Sequence, residues 1–409
     1  CYCCMTLGYE GIYRKDKEMR TVHIHKVSIK KAINGIIAII HIPLLLVIYL
    51  IKPLIKIKFG YLSVGRVGHF GLDLAYEIAA KNNSKEVVFY YLQGSVSNEQ
   101  LGTIAKRELN ISFYYKYFVY AYMIIGLGEK IKLPNRHKGG SFNIDGIVND
   151  SKHEILLLPE EDEIGKAYLQ KYGWTKKEKF VCLNVRDAAF FDEEKGARHA
   201  YRNSDIDTYE SAIKYLLSMG YWVIRMGKKV EKPLNISHSK LIDYGTLSDR
   251  SDLLDIWFCK NCEFFISTGT GIDSVAMMFK KQILFLNYTP ILILLSWVDA
   301  ITVPKRLFWG NGLELSLTEH LDNAYTDSIQ FKDKGIVVVD LSSDEIKSAV
   351  SEMINHLNNV PLTNEEISNN NKFWEIMEAH NSYGKFHDVR DPRAMLGSSF
   401  LGNNKNFLS

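Results

Sequence analysis

The sequence predicts an α/β protein in which parallel sheets form two domains, preceded by an apolar amino-terminal helix. Three observations lead to this class. Short apolar segments alternate with segments of helical periodicity over most of the chain, glycine-bearing turns follow several of the apolar segments, and one long apolar run stands near the start. Alternation of strands and helices is typical of parallel sheets whose faces are covered by helices, in Rossmann-like layers.

The composition is that of a globular protein in a reducing compartment. The chain has 409 residues, enough for two or three domains of about 150 residues each. A net charge of +3 gives no case for a nucleic-acid partner, which needs a concentrated basic face. Six cysteines are too few for a disulfide framework. The CxxC pair Cys259 and Cys262 lacks further partners at metal-binding spacing, so we expect both cysteines to be structural and buried.

The apolar run near the start predicts attachment to a membrane. Residues 32–51 are long enough to span a bilayer, and no small-residue cleavage site follows them. Pro43 interrupts the run, and lysines flank it on both sides, at Lys26, Lys30, Lys31, Lys52, Lys56 and Lys58. Three interpretations remain: a single-pass anchor, a kinked monotopic segment with both ends at the cytoplasmic face, and a buried helix of the first domain.

We expect residues 32–55 to form this anchor, with the rest of the protein on the cytoplasmic face of the inner membrane. Residues 1–31 are expected to be an extension to which no function is assigned. The membrane surface is therefore one predicted partner.

The segment after the anchor predicts a first domain over residues 56–152. A turn containing Gly65, Arg66 and His69 separates its first strand from its first helix. Its strands are expected over residues 57–64 and 86–92, and its helices over residues 70–81 and 98–107. Residues 114–131 are apolar and aromatic and form either a helix or a wall of a cleft. Residues 134–152 are polar and contain two adjacent glycines, which favours a linker or a mobile loop.

A clearer alternation predicts a second domain over residues 153–360, followed by a helical tail over 361–409 that packs back across the domains. Ser204 and the acidic residues after it resemble a capping box, which would open a helix. The expected strands cover residues 179–185, 221–226, 241–244, 264–267, 282–287 and 335–341. The very apolar segment 290–297 either packs in the core or faces lipid.

The most informative stretch runs from residue 264 to residue 290. It reads as a buried strand, a turn, a short helix and a second strand, and the turn consists of Ser267, Thr268, Gly269, Thr270 and Gly271. In such a unit, the free N–H groups at the positive end of the helix point out of the carboxyl edge of the sheet, where phosphate and carboxylate groups bind. The alternative is a tight β–α turn that only needs glycine.

Four segments carry a resemblance to a known family. They are LNVRDAAFFDE (183–193), RHAYRN (198–203), VIRMG (223–227) and STGTG (267–271). With the closing LGSSFLGNNKNFL (396–408), they resemble a family of GT-B glycosyltransferases from bacterial surface-polysaccharide loci, those for O-antigen or capsule. The STGTG turn and the LFLNYTP after it are also similar to the donor-site region of heptosyltransferases. The resemblance covers roughly residues 57–409.

The resemblance implies a GT-B architecture, with two Rossmann-like domains facing a cleft that holds the active site. The implied activity is transfer of a sugar from a nucleotide-activated donor to a lipid-linked or glycan acceptor of the bacterial envelope. We expect no cofactor and no metal, because no cluster of Asp, Glu or His has characteristic metal-ligand spacing. The DxD formed by Asp205 and Asp207 opens a helix, where acidic residues suit the helix dipole.

The RHAYRN loop supplies most of the predicted donor-binding residues. Arg198 and Arg202 can fork onto phosphate oxygens, and the ring of Tyr201 can stack on a base. His199 and Asn203 belong to the same loop and are included in the predicted site. The alternative is a charged loop that only faces water.

Further donor-binding residues are expected at the ends of two other strands. Arg186 follows the strand near residue 185 and would contact the donor anion. Asp187 would orient Arg186 or Arg202, or bind a sugar hydroxyl. For both residues the alternative is an ion pair across the loop. Arg225 and Lys228 flank a later strand end and would line the nucleotide pocket.

The first domain supplies the predicted acceptor side. Transfer with inversion needs a base that takes the proton of the acceptor hydroxyl, and histidine titrates in the useful range. His69 is the first candidate base. Asp73, four residues on, is the second candidate or holds His69, and Arg66 is expected near the acceptor. Alternatively, His69 only packs beneath the loop.

Two other classes of function stay open at this point. A GT-B-like nucleotide-sugar epimerase or a pyruvyl transferase could use the same scaffold, although a soluble substrate does not require an anchor. A membrane-attached subunit that binds a nucleotide sugar without catalysis is the third possibility, and donor binding without any product would favour it.

Overall fold

The computed structural model describes residues 33–82, 84–126, 143–190, 193–389 and 392–409. The predicted extension 1–31, Ala32, and residues 127–142 of the predicted aromatic segment and linker lie outside this part of the chain. The described residues form two compact units. The first contains 33–97 and 101–126, and the second contains 98–100 and 143–409.

The first unit contains a parallel sheet of three strands in the order β1-β2-β3. Its strands are β1 (Ile57–Ser63), β2 (Val87–Gln93) and β3 (Asn110–Ile111). The helices of this part of the chain are α1 (Ile42–Leu50), α2 (Val67–Asn82), α3 (Glu99–Glu108) and α4 (Tyr115–Ile125). Because α2 crosses over between two parallel strands, its first turn lies at the carboxyl end of β1.

The predicted apolar helix is present. It extends over Ile33–Leu50, is long and apolar enough to cross a membrane, and has only 11% of its residues buried. One residue, His41, separates residues 33–40 from α1. Pro43 stands in the first turn of α1, where its missing N–H removes a bond to the preceding helical segment.

The second unit contains a seven-stranded sheet in which every pairing is parallel. Its strands are β4 (Phe180–Asn184), β5 (Trp222–Arg225), β6 (Leu241–Ile242), β7 (Phe265–Ser267), β8 (Ile283–Tyr288), β9 (Ala300–Pro304) and β12 (Met395–Leu396). Two further strands, β10 (Arg306–Trp309) and β11 (Ile336–Val339), form a separate antiparallel pair.

The strand order of the large sheet is β12-β9-β8-β7-β4-β5-β6. From β4 the chain adds β5 and β6 on one side, then returns to add β7 and the later strands on the other. The order therefore reverses between β4 and β7. In open parallel sheets, ligands bind outside the carboxyl ends of the strands at this reversal.

The second unit also contains helices. They are α5 (Ile147–Asp150), α6 (Pro159–Gln170), α7 (Glu193–Arg198), α8 (Glu210–Ser218), α9 (Asp252–Asn261), α10 (Asp273–Met278), α11 (Leu317–Asp322), α12 (Ser328–Asp333), α13 (Ser343–Leu357), α14 (Asn364–Ala379) and α15 (Ser398–Asn403). All five residues of β4 are buried, as expected for a central strand with helices on both faces. The predicted α/β class, with parallel sheets and an apolar amino-terminal helix, is confirmed.

Three local features differ from the expectations or decide between them. The capping box predicted at Ser204 is wrong: Asp205 caps a 3-10 turn by accepting the N–H of Asp207 at 3.1 Å, and α8 begins later, at Glu210. The apolar segment 290–297 packs in the core, where Ile291 and Trp297 are buried. The carboxyl-terminal tail contributes β12 at the edge of the large sheet as well as helices.

Candidate anion-binding site at the strand-order reversal

The loops after β4 and β7 are joined directly. Asn184 and Ser267 end these strands and are opposite each other in the register. The backbone N–H of Arg186 donates to the hydroxyl of Thr268 at 2.9 Å. The side-chain amide of Asn184 donates to the hydroxyl of Thr270 at 2.6 Å. These bonds fix the start of the loop after β4 against the STGTG turn.

Hydrogen bonds within the STGTG turn set its shape. The hydroxyl of Ser267 accepts the N–H groups of Gly269 and Thr270, at 3.1 and 3.3 Å. The same hydroxyl donates to Oδ2 of Asp273 at 2.8 Å, and that oxygen also accepts the N–H of Thr270 at 2.6 Å. Gly269 has a φ of +73°, a conformation that favours glycine.

These bonds correct the expected source of positive charge. Two N–H groups of the turn already have acceptors, and the carboxylate of Asp273 stands in the first turn of α10, which has only six residues. The helix end is therefore not the open anion site that the sequence indicated. The positive charge at this edge of the sheet comes from arginine side chains.

Asp273 is the main residue that the sequence analysis missed. It is buried, with 4% of its surface exposed. Burial raises its pKa to about 6, although the Ser267 hydroxyl, the Thr270 N–H and the charge of Arg202 act in the opposite direction. Its position two residues after the last glycine of the turn was the available indication, because an acid there can accept the N–H groups of its own turn.

Two arginine side chains lie at the reversal. The guanidinium of Arg202 donates to the carbonyl oxygen of Gly269, and it forms no ion pair with a carboxylate in the described part of the chain. Arg186 is half-buried, and its Nε donates to Oδ1 of Asn203 at 3.3 Å. Burial, and next the charge of Arg202, lower the pKa of Arg186 to about 10. A bound anion would relieve this repulsion between like charges.

The residues beside the arginines are held in place. Burial and the charges of Arg186 and Arg202 lower the pKa of His199, which favours the neutral imidazole. The carbonyl oxygen of Asn203 accepts a bond from Nζ of Lys305 at 2.5 Å. Lys305 is buried and also pairs with Asp340 at 2.5 Å, a support that the sequence analysis did not find.

Two other residues of the RHAYRN loop have structural contacts. Arg198 is on the rim, where Nε pairs with Oδ2 of Asp327 at 2.6 Å. Tyr201 is 8% exposed and packs with Leu307, Phe331 and other apolar residues in a small cluster. Its ring therefore belongs to the core beneath the loop, and this corrects the expectation that it stacks on a base.

Asp187 and Arg225 connect neighbouring loops. Asp187 accepts the N–H groups of Ala189 and Glu231, at 3.0 and 2.8 Å, and its Oδ2 lies 4.0 Å from Nη2 of Arg225, so it braces the loop. Arg225 is 1% exposed; its guanidinium donates to the carbonyl of Lys232 at 2.7 Å and lies 3.3 Å from the carboxylate of Asp243. Its burial leaves no surface for direct contact with a donor.

A cavity of about 510 Å³ adjoins these loops. Ala189, from the loop after β4, lines one side, and the loop after β5 lines another. The remaining lining residues are Lys229, Val230, Glu231, Lys232, Pro233, Gly245 and Thr246. The cavity is large enough for a small ligand such as a nucleoside.

The predicted acceptor-side residues belong to the first unit. Arg66 is exposed and directly precedes α2. His69 lies inside the first turn of α2, because this helix begins at Val67 and not at residue 70 as expected. Asp73 follows one turn later and is 7% exposed. The roles of these three residues stay predictions.

Metal independence also stays a prediction. Within the described ranges, no group of three or more His, Cys, Asp or Glu residues could hold a metal ion. Cys182, Cys259 and Cys262 are buried in the second unit, and burial raises the pKa of the Cys182 and Cys259 thiols. The buried, structural role expected for the CxxC pair agrees with this position.

A substitution at Gly269 tests the shape of the turn. A Cβ there would lie 3.1 Å from the ring of Tyr288 at a φ of +73°, so Gly269→Ala is expected to lower the free energy of unfolding by about 1–2 kcal/mol and to weaken anion binding. Gly312→Ala is the matched control, since it has a φ of +86° but open space around its Cβ. Urea titration and nucleotide binding should separate the two: equal anion binding by both variants would contradict the assigned role of the turn.

Comparison with known proteins adds likenesses of fold. No protein-family model matches the sequence, and no curated protein matches it at a significant level. The chain is similar to the family 9 glycosyl transferase from Veillonella parvula, with 9% identity and a TM-score of 0.48 over 74% of this chain and 98% of that chain.

Two E. coli structures are also similar. The iron-containing dodecameric glycosyltransferase TibC of enterotoxigenic E. coli has 11% identity and a TM-score of 0.39 over 75% of this chain and 79% of that chain. ADP-heptose LPS heptosyltransferase II of E. coli has 12% identity and a TM-score of 0.34 over 73% of this chain and 99% of that chain. At TM-scores below 0.5 these likenesses carry no functional argument, so the function is inferred from the side chains of this chain.

Proposed function

We propose that the protein is a glycosyltransferase that moves a sugar from a nucleotide-activated donor to a lipid-linked or glycan acceptor in bacterial surface-polysaccharide biosynthesis. One observation carries the proposal. At the reversal of strand order in the seven-stranded sheet, the side chains of Arg186 and Arg202 both lie beside a glycine turn. This position and this charge suit the diphosphate of a nucleotide sugar.

The neighbouring groups fit the rest of such a donor. The cavity of about 510 Å³ beside Asp187 offers room for the nucleoside. The imidazole of His199 and the hydroxyl-rich turn offer hydrogen bonds to sugar or phosphate oxygens. Because Gly269 has no side chain, the backbone of the turn is open to close approach by a donor phosphate.

The proposed reaction is a displacement at the anomeric carbon. The acceptor hydroxyl oxygen forms a bond to this carbon while the bond from the carbon to the donor phosphate breaks, and the departing nucleotide keeps the electron pair. Arg186 and Arg202 stabilise the negative charge that grows on the phosphate. The proton of the acceptor goes to a base, for which His69 is the first candidate and Asp73 the second.

His69→Ala is expected to lower kcat by about 100- to 10,000-fold, because a positioned base contributes that much, while donor affinity stays near that of the wild type. His153→Ala is a matched histidine control in the second unit. Steady-state kinetics of nucleotide release at saturating donor measures the effect. Full activity in His69→Ala would eliminate this base and leave Asp73 as the candidate.

Product analysis tests the transferase function itself. The purified full chain in detergent is supplied with nucleotide sugars and with lipid-linked and glycan acceptors, and both nucleotide release and labelled product are followed. Acceptor-dependent release with a glycosylated product supports the proposal. Donor binding without product on any acceptor would favour a binding subunit, and a changed sugar nucleotide without an acceptor would favour an epimerase.

A further inference from the structure

The apolar helix is attached along its side to the first unit. Ala38 and Leu45, two helical turns apart, are fully buried in a cluster with Phe59, Val119 and Tyr122. The opposite face is open to the surroundings, and its most exposed large residues are Ile36, Ile39, Ile40, Val47 and Leu50. One face of the helix therefore belongs to the core of the unit, while the other is left uncovered by the residues that the structure describes.

The contact with α4 is specific. The ring of His41 stacks on Tyr117 at 5.7 Å and meets Phe118 edge-on at 4.9 Å. Nδ1 of His41 lies 2.7 Å from the carbonyl oxygen of Ile37, next to the interruption of the helix. A helix held this way cannot cross a bilayer upright without carrying α4 and the adjoining sheet into the hydrocarbon, where their polar groups would lose water.

A second apolar surface lies on the element that holds the helix. Phe113 and Tyr114, just before α4, are 62% and 67% exposed, and Met123 and Ile124 near its end are 58% and 54% exposed. Lys116 places Nζ 3.4 Å from the ring centroid of Phe113. Exposed aromatic rings beside a lysine are typical of segments at the boundary between lipid tails and headgroups.

Basic residues adjoin the exposed helix face. Leu54 and Ile55 continue the apolar surface beyond α1, at 85% and 50% exposed, and Lys52 and Lys56 stand beside them. An apolar face with lysines at its edge is suited to a bilayer with anionic headgroups. The apolar side chains can be buried among the lipid tails, and the lysines are attracted to the negative headgroups.

We propose that the first unit binds the cytoplasmic leaflet as a monotopic protein, and that the apolar helix and the exposed residues of α4 enter the same anionic lipid surface together. The proposal therefore excludes a helix that crosses the membrane as a single-pass anchor. This inference is independent of the donor site and of the reaction proposed above.

Vesicle flotation tests the role of α4. The full chain is mixed with phosphatidylcholine vesicles with or without phosphatidylglycerol, and its partition is compared with that of the triple variant Tyr114→Ser, Met123→Ser, Ile124→Ser. We expect at least a tenfold loss of partition, roughly the effect of removing that much buried apolar surface. The triple variant Leu313→Ser, Val337→Ser, Val360→Ser, at exposed apolar positions of the second unit, should bind as the wild type does.

Each outcome of the flotation experiment either supports the proposal or contradicts it. Stronger binding to vesicles with phosphatidylglycerol, reduced by salt and by the α4 substitutions, supports the proposal. Unchanged partition of the α4 variant would overturn it, and so would equal binding to neutral vesicles. If sedimentation without lipid shows that the α4 substitutions dissociate a dimer while flotation is unchanged, the surface is a contact between two copies of the chain.

Thiol labelling tests the course of the helix. Cys182, Cys259 and Cys262 are fully buried, so a membrane-impermeant maleimide reports on cysteines that precede the helix, at Cys1, Cys3 and Cys4. In sealed inside-out inner-membrane vesicles, the cytoplasmic face points outward. A monotopic helix leaves these cysteines open to the reagent before any detergent is added. Labelling that requires detergent would show a helix that spans the membrane and would overturn the proposal.

Discussion

Arg202→Ala is expected to weaken the binding of a nucleotide sugar by about 10- to 100-fold, because a hydrogen bond to a charged group is worth about 1.5–3 kcal/mol. Arg202 forms no ion pair with a carboxylate among the residues that the structure describes, so its charge is available to a donor phosphate. Isothermal titration of the detergent-solubilised full chain measures the change.

Two controls accompany this substitution. Arg202→Lys keeps the charge but loses the planar fork, so an intermediate affinity is expected. Arg306→Ala removes an arginine of the same unit that pairs with Glu314 through two hydrogen bonds, at 2.6 and 2.7 Å, and it should leave donor binding unchanged. Equal affinity for donor in Arg202→Ala and Arg306→Ala would remove Arg202 from the site.

Asp273→Ala is expected to lower the free energy of unfolding by about 3 kcal/mol, because it removes the shared acceptor of two hydrogen bonds in the turn. The donors are the hydroxyl of Ser267 and the N–H of Thr270, at 2.8 and 2.6 Å from Oδ2 of Asp273. Asp273→Asn keeps an acceptor oxygen at the same place and should lose less. Urea unfolding in detergent solution measures both; equal losses would show that volume, and not the hydrogen bonds, explains the effect.

The ionisation of Asp273 predicts a dependence of stability on pH. Burial raises the folded-state pKa from 3.8 to about 6, so the folded protein holds this proton more tightly than the unfolded chain. The stability contributed by Asp273 is therefore fully present below pH 3.8 and is lost as the pH rises through 6.

The difference in unfolding free energy between the wild type and Asp273→Asn isolates this group. Relative to the variant, the wild type should lose stability by at most about 1.4 kcal/mol per pH unit between these two pKa values, and by little more above them. A difference that is constant with pH, or that moves toward the wild type as the pH rises, would contradict a raised pKa.

The sequence predicted the framework of the candidate site because strands and tight turns depend on local patterns. The apolar runs that became β4 and β7 stand out from their neighbours, and Gly269 marks the turn that needs a positive φ. Since parallel strands place their carboxyl ends at one edge, Arg186 and the STGTG turn could be expected together before any distance was available.

The sequence could not assign each polar side chain to ligand or scaffold, because that depends on long-range contacts. Arg198 and Arg202 are four residues apart in one loop, yet Arg198 pairs with Asp327 while Arg202 turns to Gly269. Tyr201, between them, is turned inward by an apolar cluster that includes the distant Phe331.

The local sequence pattern also did not predict the electrostatics of the STGTG turn. The expectation of free N–H groups came from the motif alone, whereas the buried carboxylate of Asp273 and the hydroxyl of Ser267 take those groups. The helix boundary near His69 shows a smaller error of the same kind. The sequence suggested a turn from Gly65 to His69, but α2 already starts at Val67.

The most direct test of the account is a binding titration of the full chain with nucleoside diphosphates and nucleotide sugars, alongside Arg202→Ala. Ligand that binds only the folded protein adds about 2.7 kcal/mol to the free energy of unfolding at a hundredfold excess over the Kd, and it thereby raises the melting temperature. The account predicts a clear shift with one nucleotide family in the wild type and a much smaller shift in the variant. A folded wild-type sample that shows no shift with any nucleotide, or a shift that Arg202→Ala fully retains, would contradict an anion site at the strand-order reversal.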